Sequence, residues 1–208
     1  MRATYNRFAG NNKDRLAALS DGVFAVALTL LVLDLRPPSG TIGSERDLLT
    51  AVISLTPQFV AYLMTFMTIG IFWIGQQTQL NHFERCDREL SWIHIGFLLT
   101  ITLMPFSTAL LAHFITFRTA LVIYWLNIVL SGAALFVSWR YATRAGLVTA
   151  ETTKDVSDAM LRRIAIAQSL YALGALLCIF STYASIGAIV LVQVVYVIGP
   201  RLARLDKL

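Results

Sequence analysis

Charge is scarce in this sequence. Asp, Glu, Lys and Arg make up 14% of its 208 residues, where a soluble domain carries about 25%, so water is not its main solvent. Cysteine is scarce too. Cys86 and Cys178 are the only two; they lie far apart without CxxC spacing, which excludes a disulfide framework and a thiolate metal site. They read as one interfacial thiol and one buried small apolar residue. The three histidines, His82, His94 and His113, are scattered, and none falls in HExxH or another ligand spacing. Gly-rich phosphate loops and nucleophile elbows are missing. Without convergent polar groups at one depth, the chain is not expected to be an enzyme or to hold a metal.

What the sequence has is apolar length. Hydrophobic residues make up 57% of the chain, the mean hydropathy is +0.67, and runs of the roughly 18 apolar residues that mark a membrane span recur throughout. The expected architecture is a single all-α membrane domain over 1–208. Its six transmembrane helices are placed near 16–35, 47–78, 90–112, 118–144, 157–180 and 183–205, about 20 residues or more each, enough to cross a hydrocarbon core. Pro57 divides the second helix, and Thr56-Pro57 can open a fresh helix after a short outer segment at 44–55. Ser44 followed by Asp47 has capping-box spacing, and Arg36-Pro37-Pro38-Ser39-Gly40 is a loop. The first fifteen residues are polar and basic, with no small-residue cleavage site after the apolar segment, unlike a signal peptide.

The basic residues test this map. With both termini in the cytoplasm, the inner segments hold Arg2, Arg7, Lys13, Arg15, Arg85, Arg88, Arg140, Arg144, Lys154, Arg162, Arg163, Arg201, Arg204 and Lys207. Of the 17 basic residues only Arg36, Arg46 and Arg118 fall outside, as the positive-inside rule requires. The net charge of +5 therefore reads as topology and contact with anionic membrane lipids, not as nucleic-acid binding.

Ionisable residues within spans are the sharper signal. The first helix holds Asp21 and Asp34. Asp34 lies near the outer end, either as an interfacial charge beside Arg36 or at the outer mouth of a cation pathway. Asp21, preceded by Ser20 and a turn deeper than Arg15, fits a structural Arg–Ser–Asp network. At 100° per residue Val26, Leu30 and Leu33 fall within about 60° of one another, Thr29 flanks them, Gly22 continues the stripe inward, and Asp21 points about 140° away from Val26. By itself this stripe reads first as a lipid-facing or packing surface, because lipid tails are as apolar as leucine and no pore is needed to explain it.

The segment Arg15-Leu16-Ala17-Ala18-Leu19-Ser20-Asp21-Gly22-Val23-Phe24-Ala25, with Thr29-Leu30-Leu31 after it, resembles the transmembrane protein 175 family of potassium channels. That family opens its first helix with Arg-x-x-x-Phe-Ser-Asp and carries a threonine eight residues after the aspartate. Leu90-Ser91-Trp92, running on to Leu103-Met104-Pro105-Phe106-Ser107-Thr108, resembles the family's third helix, and the Trp73 region matches more loosely. Leu19 replaces the motif's phenylalanine, Gln76-Gln77 stands where many relatives have histidines, and His94 stands where asparagine is usual. The last three helices match only in hydrophobicity and spacing.

The resemblance implies a homotetramer in a bacterial inner membrane, with the first helix of each subunit around the axis. It also implies an apolar constriction in place of a carbonyl filter, and the chain has no Thr-Val-Gly-Tyr-Gly loop; Thr68-Ile69-Gly70 is a weak echo. Carried onto this sequence, the constriction is Val26, Leu30 and Leu33, with Thr29 giving modest selectivity. Arg15, Ser20, Asp21, Trp92 and His94 form the structural polar network. No cofactor is implied beyond permeant potassium and other monovalent cations. A secondary transporter using Asp21 or Asp34 is the competing reading, weakened by the lack of an inverted repeat. A non-conducting scaffold is a third.

Overall fold

A computed structural model describes residues 13–39 and 42–198. Arg2, Arg7, Gly40, Arg201, Arg204, Lys207, both termini and the expected 199–205 end of the sixth helix lie outside the described residues. Helix α1 is Lys13–Leu30 and continues as a 3-10 turn, Leu31–Asp34. Then follow α2 Glu45–Ser54, α3 Thr56–His82, α4 Arg88–Thr102 and α5 Met104–His113. The chain closes with α6 Arg118–Arg144, α7 Lys154–Leu176 with a 3-10 turn Leu177–Ile179, and α8 Thr182–Ile198.

Among the described residues five helical stretches are long and apolar enough to cross a membrane: Lys13–Asp34, Thr56–His82, Arg88–His113, Arg118–Arg144 and Lys154–Ile179. Helix α8 is a shorter apolar helix of 17 residues. Two expected helices are each interrupted. The second breaks at Leu55, where Ser44 caps α2 by accepting the Asp47 N–H at 3.2 Å and Thr56-Pro57 opens α3, which runs on to His82 rather than 78. The third, expected as one helix over 90–112, breaks at Leu103. Pro105 sits at the start of α5 as Pro57 sits at the start of α3, because proline has no N–H to donate and its ring collides with the carbonyl four residues back.

One end of the bundle gathers the basic residues. The turns after α3 and α6 pair there: Glu84 N–H donates to the Leu147 carbonyl at 2.9 Å and Thr149 N–H to the His82 carbonyl at 2.9 Å. Lys13 Nζ donates to the Phe83 carbonyl at 3.1 Å, bringing the start of α1 to the same end. Lys13, Arg15, Arg85, Arg88, Arg144 and Lys154 therefore share one side, as the charge pattern requires.

Asp87 anchors this end twice. Its Oδ1 accepts the Leu90 N–H at 2.8 Å, capping α4, and its Oδ2 accepts the Tyr141 O–H at 2.7 Å. Asp87→Ala removes a cap worth about 1 kcal/mol and a hydrogen bond of similar size. A loss of about 2 kcal/mol is expected, visible as a lower melting temperature in detergent.

Cys86 is 1% exposed in the same turn. Burial, reinforced by the Asp87 charge, pushes its thiol up to about 11. Because the thiolate is the reactive form, a Cys178→Ser variant should label with maleimide only slowly at neutral pH, and faster as pH approaches 11 or after unfolding. Fast labelling of the folded variant at pH 7 would contradict this environment.

Away from this end the interior is laced with uncharged polar groups. Gln193 Nε2 donates to Thr68 Oγ1 at 2.6 Å, Thr68 pairs with the Tyr124 hydroxyl at 3.0 Å, and Thr65 pairs with Thr108 at 2.7 Å. Asn127 donates to Ser107 at 3.1 Å and Ser131 to Thr100 at 2.8 Å. Where lipid leaves little hydrophobic drive between helices, such bonds and close packing hold them together.

Candidate functional site

Helix α1 has two unlike faces. Leu16, Ser20, Phe24, Ala27 and Leu31 are buried at spacings of three and four residues, the period of one helix face. Phe24 and Leu31 pack into the main core with Phe97 and Ile101 of α4 and Met64 of α3. On the opposite face Val26 is 57% exposed, Leu30 44% and Leu33 66%. A groove of about 450 Å³ runs along that side, lined by Ala18, Leu19, Gly22, Val23, Val26, Ala27 and Leu30 of α1 and by Thr102 of α4. Gly22 leaves the backbone open, with no atom within 4 Å of the place where a Cβ would stand.

Thr29 is exposed beside this stripe. Its hydroxyl donates to the Ala25 carbonyl at 3.0 Å and the Val26 carbonyl at 2.9 Å. The hydroxyl hydrogen is thus held against the helix, and the oxygen lone pairs are left facing outward. Asp34 is half-buried at the end of the 3-10 turn, a turn beyond Leu30.

The expected polar network divides into two. Ser20 is fully buried; its Oγ donates to the Leu16 carbonyl at 2.8 Å and lies 3.1 Å from His94 Nε2. His94 Nε2 in turn lies 2.7 Å from Gln76 Nε2. Asp21 is turned away from this pair. Its Oδ1 accepts from Trp73 Nε1 at 2.9 Å and from Gln77 Nε2 at 2.8 Å. Neighbouring helix residues are rotated by about 100°, so Ser20 and Asp21 reach different sides of α3: one enters the core, the other braces α1 from outside. Trp92, expected in the network, is 60% exposed on α4 and joins neither cluster. Arg15 is exposed at the basic end.

Ser20, Asp21 and His94 were expected in one network with Arg15 and Trp92; Trp73, Gln76 and Gln77 of α3, not expected there, are the partners they meet. The signal was the Gln76-Gln77 pair, two adjacent amides in an apolar helix. Adjacent residues serve two clusters here for the same reason that Ser20 and Asp21 do. Among the described residues no group of three His, Cys, Asp or Glu side chains is arranged to hold a metal.

The fold is that of a helical membrane protein whose first helix is packed on the other helices along one face and leaves an apolar, threonine-flanked face without a partner among the described residues. Comparison with known proteins gives the family. The family described as endosomal/lysosomal potassium channel TMEM175 matches residues 15–105. A potassium channel of Chamaesiphon minutus is 31% identical over 178 residues, covering 83% of this chain and 87% of that protein. A potassium channel of Streptomyces collinus is 32% identical over 140 residues, covering 65% of this chain and 67% of that protein. The crystal structure of a lysosomal potassium-selective channel TMEM175 homolog from Chamaesiphon minutus superposes with a TM-score of 0.79 at 26% identity, covering 91% of this chain and 98% of that one. The chain belongs to the TMEM175 family.

Proposed function

We propose that this chain is a potassium-permeable channel of a bacterial inner membrane, assembled as a homotetramer with α1 of each subunit around the axis. Helix α8 is the sixth span, and both termini lie in the cytoplasm. The observation that carries the reading is the exposed Val26–Leu30–Leu33 stripe: three large apolar side chains on one side of a helix whose other side is core. Brought around an axis, four such stripes form a narrow apolar ring that excludes water until it widens, a gate by dewetting. The outward lone pairs of Thr29, four to a ring, replace part of a cation's hydration and give a modest preference for potassium. Asp34 draws cations to the outer mouth.

A transporter mechanism through Asp21 is disfavoured by the arrangement itself. Its carboxylate is occupied by Trp73 and Gln77 and lies off the stripe. Purified protein in potassium-loaded liposomes should dissipate a potassium gradient through a current, read with a potential-sensitive dye. Flux without charge movement would favour a coupled carrier instead. Leu33→Cys tests the assembly: oxidation should cross-link copies into disulfide dimers, because Cys86 and Cys178 are both buried. Monomers alone under oxidation would oppose the axial placement of α1.

A further inference from the structure

A second opening lies among other helices. A cleft of about 110 Å³ opens between α3, α6, α7 and α8, and none of its lining residues comes from α1. Its apolar walls include Ile74, Leu135 and Ile164, and its polar lining includes Arg163, Gln168 and Tyr171. Two features of this lining call for a ligand. The first is Arg163, exposed and nine residues beyond the start of α7, about 14 Å along a helix long enough to span the membrane. No carboxylate among the described residues pairs with it. Arg163 is among the basic residues of the inner segments, at the level where a guanidinium meets lipid headgroups. The second is a pair of under-satisfied polar atoms deeper in the cleft. Gln168 Oε1 has no hydrogen-bond partner, and Tyr171, 3% exposed, has Gln193 of α8 beside its hydroxyl but outside good hydrogen-bond geometry. Buried polar atoms in native structures are ordinarily satisfied.

The geometry points to a binding site for an anionic phospholipid of the leaflet at the basic end of the bundle. The lipid phosphate takes the Arg163 guanidinium, which forms charge-assisted, forked hydrogen bonds with phosphate oxygens. Gln168 and Tyr171 line the same cleft farther along α7. There the Tyr171 O–H donates to a lipid ester carbonyl. The acyl chains lie outside on the apolar surface of Ile74, Ile166 and Leu170, each of them exposed. Gly132 lets the Gln168 side chain lie against α6, where a Cβ would collide with it.

The inference rests on membrane embedding and not on conduction, so its test reads stability. The purified full chain in a non-ionic detergent is melted during titration with phosphatidylglycerol, phosphatidylcholine or inorganic phosphate. Phosphatidylglycerol should raise the melting temperature more than phosphatidylcholine, and inorganic phosphate should not reproduce the effect. Arg163→Gln should weaken the apparent affinity for phosphatidylglycerol by about tenfold. Arg163→Lys should keep most of the response, Tyr171→Phe should lose a smaller part, and Arg85→Gln at the same end should respond like the unaltered protein. Equal stabilisation by the two lipids, an unchanged titration in Arg163→Gln, an equal loss in Arg85→Gln, or full reproduction by inorganic phosphate would each overturn the assignment. If Arg163→Gln does not fold, the lysine and phenylalanine variants with the Arg85 control still decide it.

Discussion

Replacing Leu30 with serine should raise cation flux through reconstituted protein on the order of tenfold, with sodium gaining more than potassium. The barrier in an apolar ring is the cost of wetting it. Leu30 is 44% exposed in the single chain and projects between Val26 and Leu33 on the same face. A buried leucine differs from a polar side chain by about 2 kcal/mol of transfer free energy. With four copies in the proposed ring, recovering even 1.4 kcal/mol as a lower barrier gives a factor of about ten. The loss of potassium preference follows because a wetted ring no longer strips the ion before it meets Thr29. Leu173→Ser, an equal change on an exposed face of α7, should leave the flux unaltered. Equal flux in folded Leu30→Ser and unaltered protein would remove the gate from this position.

Asp21→Ala should act on assembly rather than permeation. The carboxylate receives two donors from α3, at 2.9 Å from Trp73 and 2.8 Å from Gln77. Its removal leaves an indole N–H and an amide N–H facing lipid or a neighbouring helix, where each unmet donor costs about 1–3 kcal/mol. The basic half of α1 then loses its outer brace and is held by the Lys13–Phe83 and Ser20–His94 contacts and by the buried Leu16. The expected result is a lower melting temperature and a smaller tetramer fraction on a sizing column. Asp21→Asn, which keeps one carbonyl oxygen in place, should restore part of both. Normal assembly and melting in the alanine variant would mean that Trp73 and Gln77 find other acceptors and that the brace is unimportant.

Legibility in the sequence followed the range of each interaction. The break before Pro57 was visible because Thr56-Pro57 follows a capped segment beginning at Ser44, all local chemistry. The equivalent break at Leu103 was hidden, since Met104-Pro105 sits inside an unbroken apolar run with no cap to mark it. The two faces of α1 were readable from a 100° wheel alone. The partners of Ser20 and Asp21 were not, because Trp73, Gln76 and Gln77 lie more than 50 positions away in sequence and only the packing of α3 on α1 brings them near. The interior bonds among Thr65, Thr68, Thr108, Tyr124 and Gln193 were missed for the same reason. They come from four helices, and none makes a pattern on its own helix. Gln168 and Tyr171 likewise gain meaning only beside the cleft they line.

Ions are proposed to pass along the Val26–Thr29–Leu30–Leu33 face of α1. Planar-bilayer recording of purified protein, with potassium on one side and sodium on the other, tests this most directly when Leu30→Ser is recorded alongside. The account predicts discrete current steps, a reversal potential displaced toward potassium equilibrium, and a larger, less selective current in the variant. Saturating flux without steps, or folded protein silent in both forms, would contradict it.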